Sequence, residues 1–202
     1  MAYYKRMALM NWMKYFMLAA LLFLSCSAQA IMAELGLSYG FQKKTFNASN
    51  YYQSDSKSAS ISFYFLEKLM LEIAYTDGFY EGQESDSNST RTIQQSTKMA
   101  DASLVYMIMD RHAMIQPYVK GGAAYISKKQ EVRYLNASTI AIPESVGWAP
   151  GYGAGLKIVM SEKFSIRIGY DVWQTPLSDG TKSDDSAFKA GLTWALSSEP
   201  TK

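Results

Sequence analysis

The chain has 202 residues, with 20 basic and 18 acidic side chains, a formal net charge of +2 and 48% apolar residues. This balance leaves no electrostatic footprint for nucleic acid. The single cysteine, Cys26, rules out an internal disulfide and any zinc or iron–sulfur site built from several thiolates.

The N-terminus reads as an export signal. Lys5, Arg6 and Lys14 form a positive region, Phe16 to Leu24 a short apolar run, and Ala28-Gln29-Ala30 a small-x-small cleavage site. Residues 1–30 are therefore expected to be a cleavable secretory signal. Leu24-Ser25-Cys26 is also a partial lipid-attachment pattern, which keeps processing at Cys26 open. Cleavage after Ala30 removes 30 of the 202 residues and three of the 20 basic ones, leaving 172 residues with 17 basic against 18 acidic groups. That length suits one domain. No later stretch reaches the roughly 20 apolar residues of a spanning helix. A membrane-embedded form must then be a closed barrel, which pairs its own backbone groups.

From Ala33 onward, segments of period two follow one another. They predict strands at 33–46, 57–66, 69–79, 97–109, 114–126, 147–159, 164–173 and 186–196. Tight turns are expected at Leu66–Leu69, Asp110–Ala113 and Met160–Lys163. Longer polar stretches at 47–56, 80–96, 127–146 and 174–185 read as loops, with Val132 and Tyr134 able to prolong a hairpin. Short turns at one end and long loops at the other describe an up-and-down meander. The expected fold is all-β, an eight-stranded antiparallel barrel over residues 31–196, followed by a polar tail at 197–202.

One face of these strands carries Leu35, Leu37, Ile61, Phe63, Leu71, Ile73, Leu104, Leu156, Ile166, Ile168 and Leu192. The other carries Gly36, Ser38, Gly40, Ser58, Ser60, Ser62, Gly151, Gly153, Gly155, Gly169 and Gly191. An eight-stranded barrel has an interior only wide enough for side chains, so the bulky face belongs outside and the small face inside. Eight charges share the small face: Glu34, Glu72, Asp101, Lys120, Lys157, Arg167, Asp171 and Lys189. Four acids and four bases in a narrow interior are expected to pair, because an unpaired buried charge costs several kcal/mol. Aromatics gather in two belts, Phe65, Phe164 and Trp194 towards the turns, and Tyr39, Phe41, Tyr75, Tyr125 and Trp148 towards the loops, as headgroup anchors do.

The segment Lys189-Ala190-Gly191-Leu192-Thr193-Trp194-Ala195-Leu196 resembles the terminal assembly signal of outer-membrane barrels: polar, x, Gly, x, x, aromatic, x, hydrophobic. It ends on Leu196 and a polar tail, where family members commonly end on an aromatic. Gln116–Tyr125 and Gly151–Lys157 are similar to strands of small barrels. The chain thus resembles the outer-membrane-protein β-barrel superfamily of the OmpA, OmpX and OmpW types. The resemblance implies a Gram-negative outer membrane, contact with lipid and lipopolysaccharide, and recognition by the barrel-assembly machinery through Lys189, Gly191, Trp194 and Leu196.

No catalytic, metal or cofactor set stands out. His112, the only histidine, falls in a tight turn at the end away from the loops, where it cannot serve an outer-leaflet catalytic triad. Lys128, Lys129 and Arg133 are candidates for lipopolysaccharide phosphates. Glu81, Glu84, Asp86, Asp179, Asp184 and Asp185 read as solvated loop charge. The expected role is structural or surface interaction through the loops, with a narrow pore or carrier for small or apolar solutes as the alternative.

Overall fold

The computed structural model describes residues 32–47, 50–86, 89–134, 139–176 and 181–196. The expected signal at 1–30 and tail at 197–202 lie outside them. The described residues form eight strands: β1 (Met32–Asn47), β2 (Asn50–Leu66), β3 (Leu69–Asp86), β4 (Ser89–Met107), β5 (Ile115–Tyr134), β6 (Ile140–Val159), β7 (Phe164–Pro176) and β8 (Lys182–Ala195). Each pairs antiparallel with its chain neighbour. Pairing of β1 with β8, from Glu34↔Ala195 to Tyr39↔Ala190, closes the barrel.

The three tight turns fall where the punctuation of the sequence puts them. The β4–β5 turn is held by Gln116, whose buried side-chain amide donates to the carbonyls of Arg111 (2.6 Å) and Ala113 (3.0 Å). The expected loops are a correction. β3 and β4 stay paired from Leu69↔Tyr106 to Asp86↔Ser89, and β5 and β6 from Ile115↔Ile158 to Val132↔Ile140. Most of 80–96 and 127–146 is therefore strand, and β2 takes in most of 47–56. These stretches mix polar residues on both faces, so the period-two apolar signal fades although the backbone still pairs.

The sidedness follows the volume argument. Leu37, Tyr75, Leu104, Tyr152, Tyr170 and Leu192 lie exposed on the outer wall, whereas Glu34, Ser62, Glu72, Asp101, Lys157 and Asp171 are buried inside. An exposed belt of large apolar side chains around a buried polar interior is the reverse of a water-soluble barrel, and fits lipid outside.

Candidate functional site: the lumen

Alternation places all eight charges named above on the inner wall, and their contacts run across the barrel. Lys157 of β6 reaches Glu34 of β1 at 2.5 Å and donates to the Tyr64 hydroxyl of β2 at 3.0 Å. Arg167 of β7 pairs with Glu72 of β3. Lys120 of β5 lies 2.9 Å from Asp171 of β7 and 3.5 Å from Glu72. Lys189 of β8 lies 3.5 Å from both Asp171 and the Thr76 hydroxyl of β3. Asp101 of β4 is buried beside this group, with Oδ1 making no protein hydrogen bond.

Long side chains of β5 to β8 project towards a wall of small ones. Gly36, Ser38, Ser58, Ser60 and Ser62 on β1 and β2 leave the width that Lys120, Lys157 and Arg167 occupy. Apart from Lys189–Asp171, which joins the neighbouring β7 and β8, these ion pairs tie non-adjacent strands together, which backbone ladders cannot do.

The sequence reading missed the bulky inner residues. Tyr64, Met70, Val105, Met107 and Tyr118 form a buried apolar cluster towards the tight turns, with Met32 packed against it. Met99, Ala124, Ile126, Ala149 and Trp173 form a second towards the long hairpins. Inner rings carry cations: the Arg167 guanidinium sits 4.8 Å from the Tyr118 centroid, and the Lys189 ammonium 4.8 Å from that of Trp173. The signal was present in Gly151-x-Gly153-x-Gly155. A Cβ at Gly155 would lie 2.6 Å from Cζ of Tyr118, and one at Gly151 would lie 2.7 Å from Cδ1 of Trp173. These glycines are the seats of the missed rings.

Between the two clusters is a cavity of about 50 Å³, lined by Ser38, Ser58, Ser60, Thr193 and the charges Glu72, Asp101, Lys120, Arg167, Asp171 and Lys189. Against the roughly 10–15 Å³ that a cavity needs to hold a single water, it is too small for a solute of ordinary size.

The candidate lipopolysaccharide cations divide. Lys128 is buried and turned inwards, 2.5 Å from Asp185, which also accepts from Thr175 at 2.7 Å. Alternation sets that direction, so Lys128 is not an outward phosphate contact. Lys129 and Arg133 stay exposed, near Glu144 (3.5 Å) and Glu131 (3.2 Å). Glu84 is held by Arg91, and Glu81 accepts from Tyr51 (3.0 Å) and Gln94 (2.9 Å). Asp179 and the side chain of Asp86 lie outside the described residues. His112 is exposed in the β4–β5 turn.

The interfacial aromatics lie on the outer wall. Phe164 stacks on its cross-strand partner Trp194, with centroids 5.8 Å apart, and Tyr125 meets Trp148 edge-on at 5.5 Å. Tyr39, Phe41 and Tyr75 are exposed at the same end as Tyr125, and Phe65 is half-buried towards the turns. Trp194 and Leu196 face outwards. Lys189 and Gly191 face inwards, and the Leu196 N–H donates to the Ala33 carbonyl at 2.8 Å.

Comparison with known proteins agrees with this architecture. The N-terminal β-barrel domain of Pseudomonas aeruginosa OprF is similar at a TM-score of 0.52 and 18% identity, over 82% of this chain and 97% of that one. Yersinia pestis Ail, crystallised with the heparin analogue sucrose octasulfate, is similar at 0.54 and 14%, over 82% and 99%. Neisserial surface protein A is similar at 0.50 and 15%, over 81% and 96%. Comparison with curated proteins finds no match. The family model of the outer membrane protein beta-barrel domain matches residues 16–195. With a lipid-facing outer wall, a closed eight-stranded ring and that match, the chain belongs to the outer-membrane β-barrel family and resides in the bacterial outer membrane.

Proposed function

We propose that this protein is a sealed outer-membrane barrel whose role is structural or surface interaction through the hairpins beyond the membrane, without enzymatic activity. One observation carries the reading: the lumen is filled by crossing ion pairs between two buried apolar clusters. Such an interior stiffens the wall and leaves no route for solute. The paired extensions of β3–β6 are then the part able to meet a partner. The names of Ail and the neisserial surface protein, and the sulfated ligand of the former, belong to those proteins; shared fold alone carries no function to this chain. Residues 1–30 serve as the export signal, and Lys189, Gly191, Trp194 and Leu196 as the signal read by the assembly machinery. Lys129 and Arg133, exposed on the hairpin strands, are the cations for lipopolysaccharide phosphates.

Single-channel recording in planar bilayers tests the sealed lumen: the protein should show no stable openings, and reproducible conductance steps would favour a narrow pore. Lys129→Glu with Arg133→Glu should weaken lipopolysaccharide binding, and unchanged binding would remove that contact from the reading.

A further inference from the structure

The outer wall carries a groove between β2 and β3, lined by Tyr51, Gln53, Asp55, Phe79 and Glu81, with a volume of about 240 Å³. The register sets Gln53 opposite Glu81 and Asp55 opposite Phe79. Phe79 and Glu81 share the outward parity of Ile73 and Tyr75 on β3. On its other side Asp55 pairs with Phe41 of β1, so this carboxylate stands between two aromatic positions that are 51% and 43% exposed. The second carboxylate is fixed in place: Glu81 accepts from the Tyr51 hydroxyl at 3.0 Å and from the Gln94 amide at 2.9 Å. Held side chains of this kind present a defined surface to a ligand.

Position limits what can occupy it. Phe79 lies four residues beyond the belt residue Tyr75, about 13 Å along the strand and, at a tilt near 45°, about 9 Å higher. The headgroup layer is roughly 5–8 Å deep on each side of a bilayer. The groove therefore begins where phospholipid headgroups end, on the flank of the wall and not at its mouth. An occupant stands beside the barrel, where the saccharide of an outer-leaflet glycolipid stands. The chemistry agrees. A sugar ring lays its C–H face on an aromatic ring, and its hydroxyls donate to carboxylates. A phosphate or sulfate would meet Asp55 and Glu81 as like charges. A metal ion on Glu81 would face the Tyr51 and Gln94 donors that already point at it. We propose that this groove is a sugar subsite, in which Phe79 stacks on a neutral core sugar of the lipopolysaccharide beside the barrel while Asp55 and Glu81 accept its hydroxyls. The inference rests on the lipid-facing orientation of the wall. It is separate from the phosphate contact assigned to Lys129 and Arg133 of β5.

The test is NMR on the full mature barrel refolded in nanodiscs. One set contains rough lipopolysaccharide, whose core bears neutral sugars; the other contains deep-rough lipopolysaccharide, which lacks them. Cross-peaks between the Phe79 ring and sugar C–H protons should appear with the rough form and not with the deep-rough form. Their absence from the native protein in rough lipopolysaccharide overturns the proposal, whatever the variants do. In a competition between the two lipids, Phe79→Ala should reduce the preference for the rough form about two- to tenfold, and Asp55→Asn with Glu81→Gln about fivefold. Phe79→Tyr, which keeps the ring, should retain the preference. Equal cross-peaks with both lipids, or their loss on adding a chelator, would identify phosphate or a bridging cation as the ligand and overturn the sugar assignment. So would cross-peaks seen only with free core oligosaccharide in nanodiscs without lipopolysaccharide, since the occupant would then be a soluble glycan. Lys129→Glu with Arg133→Glu should leave the Phe79 cross-peaks in place even where it weakens lipopolysaccharide binding; their loss would overturn an independent sugar contact.

Discussion

Removing the Lys157 ammonium breaks the most deeply buried ion pair among the described residues. The Lys157–Glu34 pair is 2.5 Å long, and its side chains are 5% and 3% exposed. Lys157 is in direct contact with Glu34, whose Oε2 makes no protein hydrogen bond. Glu34 does not line the central cavity either. Lys157→Met therefore removes the close partner of a buried carboxylate, at a cost of about 3–5 kcal/mol. At about 1.4 kcal/mol per factor of ten, that shifts the unfolding equilibrium by two to three and a half orders of magnitude. Replacing both members, Glu34→Leu with Lys157→Met, removes the desolvation penalty along with the attraction, and should bring stability back to within about 1 kcal/mol of the native protein or above it. Urea unfolding in lipid vesicles, followed by tryptophan fluorescence and by the mobility difference between boiled and unboiled samples, measures both. A single variant that costs less than about 1 kcal/mol, or a double variant no better than the single, would refute the claim that this pair is dry.

Lys120→Met should be milder than Lys157→Met in the same assay, since Glu72 retains Arg167 and Asp171 retains Lys189. Gly155→Val should yield no folded band after refolding because its side chain would occupy the seat of Tyr118, whereas Gly121→Ala, whose Cβ meets nothing within 4 Å, should stay within about 0.5 kcal/mol of native. Phe164→Ala and Trp194→Ala, alone and combined, should show a coupling of about 0.5–1.5 kcal/mol from their stacked rings; strict additivity would remove that contribution. At the tight-turn end, the hydrogen bond from Lys68 (2.6 Å) holds the Asp110 carboxyl below its usual range and raises the lysine. The carboxylate's contribution is present above its unfolded pKa and lost as pH falls through the lowered value; the lysine's is present below its unfolded pKa and lost as pH rises through the raised value. The difference in urea midpoint between native protein and Asp110→Asn should therefore be greatest near neutrality and shrink in acid; a difference that grows in acid contradicts the assignment.

The barrel and the direction of its faces were legible because lipid imposes a strict period of two. Leu35, Leu37 and Tyr39 against Glu34, Gly36 and Ser38 already show which side meets lipid. The extent of the hairpins was not legible, because water on both faces of Gln94-Gln95-Ser96 demands no alternation while the backbone still pairs. The inner rings were missed for another reason. A tyrosine on the lumen face, such as Tyr64 or Tyr118, looks in sequence like one on the lipid face, and only the glycines opposite show where it fits. The direction of Lys128 was hidden by assigning it to a loop. As part of a regular strand it shares the inward parity of Ala124 and Ile126.

The same ladders show how the wall changes above the lipid. Pairing of β6 with β7 stops at Gly151↔Trp173, and pairing of β1 with β8 stops at Tyr39↔Ala190, while β1 to β6 remain joined beyond both points. The closed ladder thus passes into six laddered strands, while β7 and β8 stay laddered to each other up to Pro176↔Lys182 and Asp185 remains tied to Lys128 of β5. Among the described residues, no β7 ladder covers β6 ahead of Gly151. A free edge invites another strand unless it is blunted. Here Pro143 and Pro150 remove two backbone donors, and the exposed Glu144 adds charge. Prolines in a strand are tolerated where the nitrogen faces an open edge, which suits β6. Pro143→Val with Pro150→Val should therefore leave the barrel folded and increase its self-association, read as a larger crosslinked fraction in nanodiscs or detergent. If the double variant stays as monodisperse as the native protein, the prolines are not what protects this edge.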